Sequence, residues 1–188
     1  MLSPTFEKAL HLAFRLHQSQ ARKVTGVPYF SHLMAVSATV LEYGGDEETA
    51  IAALLHDAVE DQGGTRTLEE IRRKFGDRVA RIVSDASDAF DRPRPPWRER
   101  KRAHIAKMRE ASGDSQLVVA ADKLHNIKSI QRDYHRLGNE LWKCFTAGKE
   151  TTLWYYRSMC EALSGNPALS GILAEVRAAI DDIEHHSP

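Results

Sequence analysis

Four residues of metal-ligand type stand out along the chain: His32, the adjacent pair His56-Asp57, and Asp122. Two imidazoles and two carboxylates make a mixed nitrogen and oxygen set suited to a divalent transition ion. Such a set, with coordination positions left open, allows water to be activated and a phosphoryl oxygen to be polarised. Each residue alone also has an ordinary explanation as a hydrogen-bonded core histidine or a helix-end aspartate. Glu60-Asp61 follows four positions after His56-Asp57. If helical phase persists, the two pairs are i,i+4 neighbours, and the acids are placed to orient a water and take its proton. Asn126 lies one turn after Asp122 and shares its face, placed to hydrogen-bond a ribose or a group behind the ligands. Arg22-Lys23 and the run Arg98-Glu-Arg-Lys-Arg102, Lys101 above all, offer cations for a base or a polyphosphate.

These residues must be carried by helices. No stretch alternates apolar and polar residues long enough for a sheet, and no internal repeat is visible. Pro4 after Ser3 suits a helix start, with Phe6, Leu10, Ala13 and His17 on one face, ending near Gln20. A turn-rich segment through Gly26 and Pro28 leads to Ser31, the expected N-cap of a helix carrying His32 in its first turn. Gly44-Gly45 stops that helix, and Asp46 caps the next, which is apolar nearly all round from Ala50 to Leu55, as a buried helix is. His56-Asp57 therefore emerges at the end of a core helix. Thr67 to Glu70 reads as a capping box opening a short helix that Gly76 stops, with another beginning at Asp77. Asp91 to Pro96 is too proline-rich for helix and is expected as an exposed loop. Helices are expected over Trp97–Glu110 and from Leu117 to about Asp133, the latter entered from Asp114. Two or three more fill Asn139 to Ile183, Pro167 marking the start of the last. The fold class is all-α, a helical bundle of roughly eight to ten helices.

The chain has 188 residues, 42% hydrophobic and 28% charged, which suits one folded domain over residues 1–188. Its 26 basic and 26 acidic side chains cancel, so no global positive field marks a duplex nucleic-acid binder. The N-terminal residues lack the pattern of a signal peptide, and the longest apolar run is too short to span a bilayer. A cytoplasmic protein without membrane association is expected, with Cys144 and Cys160 as reduced thiols. Oligomeric state is not legible, and a homo-oligomer stays open.

Taken in order, these segments resemble the HD-domain hydrolases of the Rel/SpoT type, including the stand-alone small alarmone hydrolases and the metazoan SpoT homologue. The resemblance runs through Ala9-Leu-His-Leu-Ala-Phe-Arg-Leu-His17, Gln20-Ala-Arg-Lys23, Gly26-Val-Pro-Tyr-Phe-Ser-His32, Ala53-Leu-Leu-His-Asp-Ala-Val-Glu-Asp61, Phe75-Gly76, Glu99-Arg-Lys101 and Ala121-Asp-Lys-Leu-His-Asn126. It implies that His32, His56, Asp57 and Asp122 hold a divalent ion, usually manganese, and that Glu60 and Asp61 activate water. It implies further that Arg22 and Lys23 face base and phosphates, that Tyr29 lies near the pocket, that Asn126 contacts the ribose, and that Lys101 and Lys149 partner phosphates. The implied substrate is a small hyperphosphorylated nucleotide of the stringent response, ppGpp or pppApp, hydrolysed at its 3′-diphosphate with release of pyrophosphate. Gln62 stands where the family commonly has Thr, and Lys128-Ser129 where it often has an Arg and a Thr. Lys lacks the planar fork of Arg, so base preference stays open. Alternatives are an HD phosphohydrolase acting on another nucleotide, such as NADPH or a nucleoside phosphate, and a non-catalytic alarmone-binding module.

Overall fold

In a computed structural model, residues 1–88 and 95–185 are described, and among them there are nine α-helices and no strand. These are α1 (Pro4–His17), α2 (Phe30–Glu42), α3 (Glu47–Leu55), α4 (Ala58–Gln62), α5 (Gly64–Ala86), α6 (Trp97–Glu110), α7 (Gly113–Leu137), α8 (Gly148–Leu163) and α9 (Ser170–His185). Short 3-10 segments, Gly138–Cys144 and Pro167–Leu169, join α7 to α8 and α8 to α9. The all-α expectation holds.

The core is organised by α3 and α7. Every residue of α3 from Thr49 to Leu55 is buried, which is why its sequence shows no polar face. Fully burying a side chain such as Leu54 or Leu55 contributes about 1.5–3 kcal/mol, so this helix is pinned along its length. The long α7 packs on α2, α3, α5, α8 and α9. Asp122 and its neighbours therefore sit where several helices meet.

Helix starts follow cap chemistry in part. Ser3 accepts from the Thr5 amide and Asp46 from that of Thr49, satisfying donors that a helix N-terminus leaves unpaired. Ser31 does not cap α2: its hydroxyl donates to the Pro28 carbonyl, and the helix begins two residues earlier than that cap implies, at Phe30, without a side-chain cap. Nor does Thr67 open α5. The helix starts at Gly64, and the Thr67 hydroxyl donates back to the Gln62 carbonyl, tying the α4–α5 junction. Ser112, not Asp114, caps α7 by accepting from the Ser115 amide, while Asp114 binds Arg78. Gly76 does break its helix, with φ 89° and ψ 171° inside α5, a conformation essentially reserved for glycine. Pro167 opens the 3-10 turn that leads into α9. Of the expected loop from Asp91 to Pro96, residues 91–94 lie outside the described residues, and Pro95-Pro96 is exposed and non-helical. No helix among the described residues is long and apolar enough to cross a membrane.

Candidate metal centre

Four helices deliver the chemistry. His32 lies in the first turn of α2, His56-Asp57 forms the joint between α3 and α4, Glu60 and Asp61 lie on α4, and Asp122 lies in the middle of α7. At the joint, both His56 and Asp57 keep right-handed helical backbone angles, and the Asp61 amide donates to the Asp57 carbonyl. Helical phase thus survives from Asp57 to Asp61, as the sequence reading required.

His32, His56 and Asp57 place one ligand-type atom each within 4.8 Å of one another. His56 Nε2 lies 2.9 Å from Asp57 Oδ2. Asp122 Oδ1 lies 3.2 Å from His32 Nε2 and 3.6 Å from His56 Nε2. Both imidazole Nε2 atoms are buried and neither has a hydrogen-bond partner. Two buried imidazole nitrogens crowded against two carboxylates are costly unless positive charge sits among them, as a proton on a ring or as a bound cation, and the mixed nitrogen and oxygen donor set fits a divalent ion.

Each of the four groups is held by another. The outer nitrogen of His56, Nδ1, lies 2.8 Å from the Ala53 carbonyl, and that of His32 lies 2.8 Å from His125 Nδ1. Tyr29 donates its hydroxyl to Asp57 at 2.5 Å, and Lys123 donates to Asp122 Oδ2 at 2.5 Å. Asn126 donates to Asp122 Oδ1 at 2.5 Å and accepts from Arg22 at 2.8 Å. Arg22 and Tyr29 reach the site because the segment between α1 and α2 folds back on itself. Tyr29 donates its amide to the Gln20 carbonyl and Arg22 donates to Val27, around a turn in which Gly26 takes φ 70°.

Burial opposes charge throughout, and the neighbours overcome it. Asp57 is held well below the usual carboxylate range by the histidines, and Asp122 by Lys123 and the histidines. The two carboxylates in turn hold His56 well above the usual histidine value, and Asp122 keeps buried Lys123 charged. His125 is pushed down to about 4 by burial and by the charges of His32 and Arg22.

Beside the cluster lies a cationic layer. Lys101 and Lys123 sit 4.8 Å and 5.3 Å from the centre of the Tyr155 ring. Arg100 and Lys101 share the buried Asp88, at 2.5 Å and 2.6 Å, and Arg100 approaches Glu60 at 4.0 Å. Asp61, more exposed, accepts from Gln20, whose carbonyl in turn accepts from Gln62 and faces His17. Lys23 is exposed. Lys149 is not brought to the cluster: it donates to the Tyr134 hydroxyl and the Ile183 carbonyl, at the far end of α7. Tyr134 is twelve residues beyond Asp122, roughly 18 Å along the helix.

Sequence reasoning missed His125, Lys123 and the Gln20–Gln62 pair. His125 had a readable signal, since it stands three residues after Asp122 and so shares its side of the helix. Lys123 had none, because adjacent helical residues do not face each other and only its long side chain curls back to Asp122.

Residues 9–152 match the family described as HD domain. The human guanosine-3′,5′-bis(diphosphate) 3′-pyrophosphohydrolase MESH1 is 36% identical over 128 residues, which are 66% of this chain and 69% of that protein. An Aquifex aeolicus guanosine-3′,5′-bis(diphosphate) 3′-pyrophosphohydrolase is 34% identical over 127 residues, only 17% of its length. Among solved structures, a metazoan orthologue of SpoT that hydrolyses ppGpp superposes with a TM-score of 0.78 at 25% identity, covering 96% of both chains. A Listeria monocytogenes protein superposes with a TM-score of 0.71 at 31% identity, covering 85% of this chain and 99% of that one.

Proposed function

The chain belongs to the HD-domain family, and from that premise we infer that it is a metal-dependent hydrolase of the 3′-diphosphate of alarmone nucleotides such as ppGpp. The observation that carries this reading is the meeting of His32, His56, Asp57 and Asp122, with two buried and unpartnered imidazole nitrogens facing two carboxylates. We assign those four residues to a divalent ion, manganese as the first choice. When bound, such an ion supplies Lewis acidity toward water and a phosphoryl oxygen.

The protein's own groups do the rest. Glu60 and Asp61, one helical turn beyond His56-Asp57, take the proton of the attacking water. The water oxygen joins the phosphorus next to the ribose, the bond from that phosphorus to ribose O3′ breaks, O3′ takes up a proton and pyrophosphate leaves. Arg100, Lys101 and Lys123 supply positive charge for the departing diphosphate. Arg22 and Asn126, already bonded to each other, form the wall that receives ribose and base, with Tyr29 beneath Arg22 at 5.7 Å and Lys23 at its edge. Lys149 is left out of this assignment because its hydrogen bonds tie α8 to the ends of α7 and α9. The chain works as a single HD domain on a free nucleotide, and its two unbridged cysteines suit the reducing cytoplasm.

Incubating metal-stripped protein with ppGpp, pppApp, NADPH and ordinary nucleoside triphosphates, then adding Mn2+, tests the reading. Pyrophosphate from the 3′-diphosphates is the expected product. Inorganic phosphate from NADPH or the triphosphates would point to the other HD phosphohydrolase chemistry, and binding of ppGpp without turnover would make the protein a sensor.

A further inference from the structure

His32 and His125 meet through their Nδ1 atoms at 2.8 Å, with ring centres 4.8 Å apart. Across the His32 ring, Nε2 is buried without a hydrogen-bond partner and lies 3.2 Å from Asp122 Oδ1. A hydrogen bond between two imidazole nitrogens needs one N–H and one lone pair. If Nε2 of His32 directs its lone pair at an ion, the proton of that neutral ring resides on Nδ1, so His32 donates. His125 must then accept, and its own proton sits on Nε2.

We infer that His125 is a positioning residue that fixes the tautomer and ring orientation of His32, turning the Nε2 lone pair into the cluster. The inference rests on the metal-site reading above. A partner on the outer nitrogen is how metal-binding histidines are generally oriented, and its loss typically weakens metal binding. The other histidine, His56, faces a backbone carbonyl, that of Ala53, which no substitution removes. His32 instead faces a side chain on α7, three residues from Asp122. One turn of α7 thus supplies one ligand and the group that orients another. With the tautomers reversed, His32 would carry its proton on Nε2 and have no lone pair to offer.

Mn2+ titration of metal-stripped protein, followed by the electron paramagnetic resonance signal of the free ion, separates the two layers of the claim. His32→Ala tests the metal site and is expected to lose binding. His125→Leu and His125→Phe remove the acceptor and are expected to weaken Mn2+ binding roughly 10–100-fold, whereas His125→Asn, whose Oδ1 falls where Nδ1 was, stays within about threefold of the wild type. A purely packing role for His125 would reverse that order, since Leu and Phe fill the space better than Asn. Wild-type affinity in His125→Leu alongside loss in His32→Ala overturns the inference and leaves the site standing; wild-type affinity in His32→Ala overturns the site itself. Should the apolar variants fail to fold, nitrogen-15 spectra of the Zn2+-loaded wild type decide. His32 protonated at Nδ1 and His125 at Nε2 is the expected result, and the opposite pair of tautomers overturns the inference.

Discussion

Tyr29 shows how closely the residues of the centre depend on one another. Its hydroxyl donates to Asp57 while its ring lies against His17 and His32, so it fixes a carboxylate and a histidine at once. Removing only the hydroxyl, in Tyr29→Phe, is expected to weaken Mn2+ binding by roughly 10-fold with little change in fold, as for other groups that orient ligands; chelator competition measures it. Glu60→Gln should behave oppositely. It is expected to leave metal affinity intact while lowering kcat about 100-fold or more, the usual contribution of a general base. Unchanged turnover in that variant removes Glu60 from the chemistry. At this scale the sequence was most informative where residue type limits function. His32, His56, Asp57 and Asp122 all stood out by type as candidate ligands, and the structure brings the four side chains together. Lys149 was not readable, because a lysine's destination is set by which acceptors the tertiary fold offers, here Tyr134 and Ile183.

The elements were legible wherever periodicity or a special backbone angle required a residue type. The apolar run of α3 signalled a buried helix, Asp46 its cap, and Gly76 an interruption. The starts of α2, α5 and α7 were misjudged by two to four residues because Ser31, Thr67 and Asp114 had other partners, which only the packed helices supply. Gly76 is the element-scale test. At φ 89° it has open space where a Cβ would go, so Gly76→Ala would suffer backbone strain without a clash. The strain should cost about 1–3 kcal/mol, read by chemical denaturation with metal binding unaffected. A variant as stable as the wild type would mean that the break in α5 is relaxed at no cost.

For the molecule as a whole, α6, α7 and α8 enclose one further buried histidine whose ionisation bears on stability. His104 is buried on Tyr155, and burial together with the charges of Lys123 and Lys101 pushes it down to about 3 from an ordinary 6.5. The unfolded chain therefore binds a proton between those values that the fold refuses. The resulting stability is complete above pH 6.5 and is lost progressively as pH falls toward 3. Equilibrium unfolding across that range should show a shallower dependence in His104→Asn than in the wild type, and equal slopes would place the titration elsewhere. The central claim remains that this bundle assembles one ion site on which hydrolysis depends. Its most direct test is to add Mn2+ stepwise to metal-stripped protein in the presence of ppGpp while following pyrophosphate release. Release should be absent without metal, rise in proportion to one ion bound per chain, and stay absent in Asp122→Ala at every Mn2+ concentration. Pyrophosphate release by the stripped protein under chelator, or by Asp122→Ala at the wild-type rate, would contradict it.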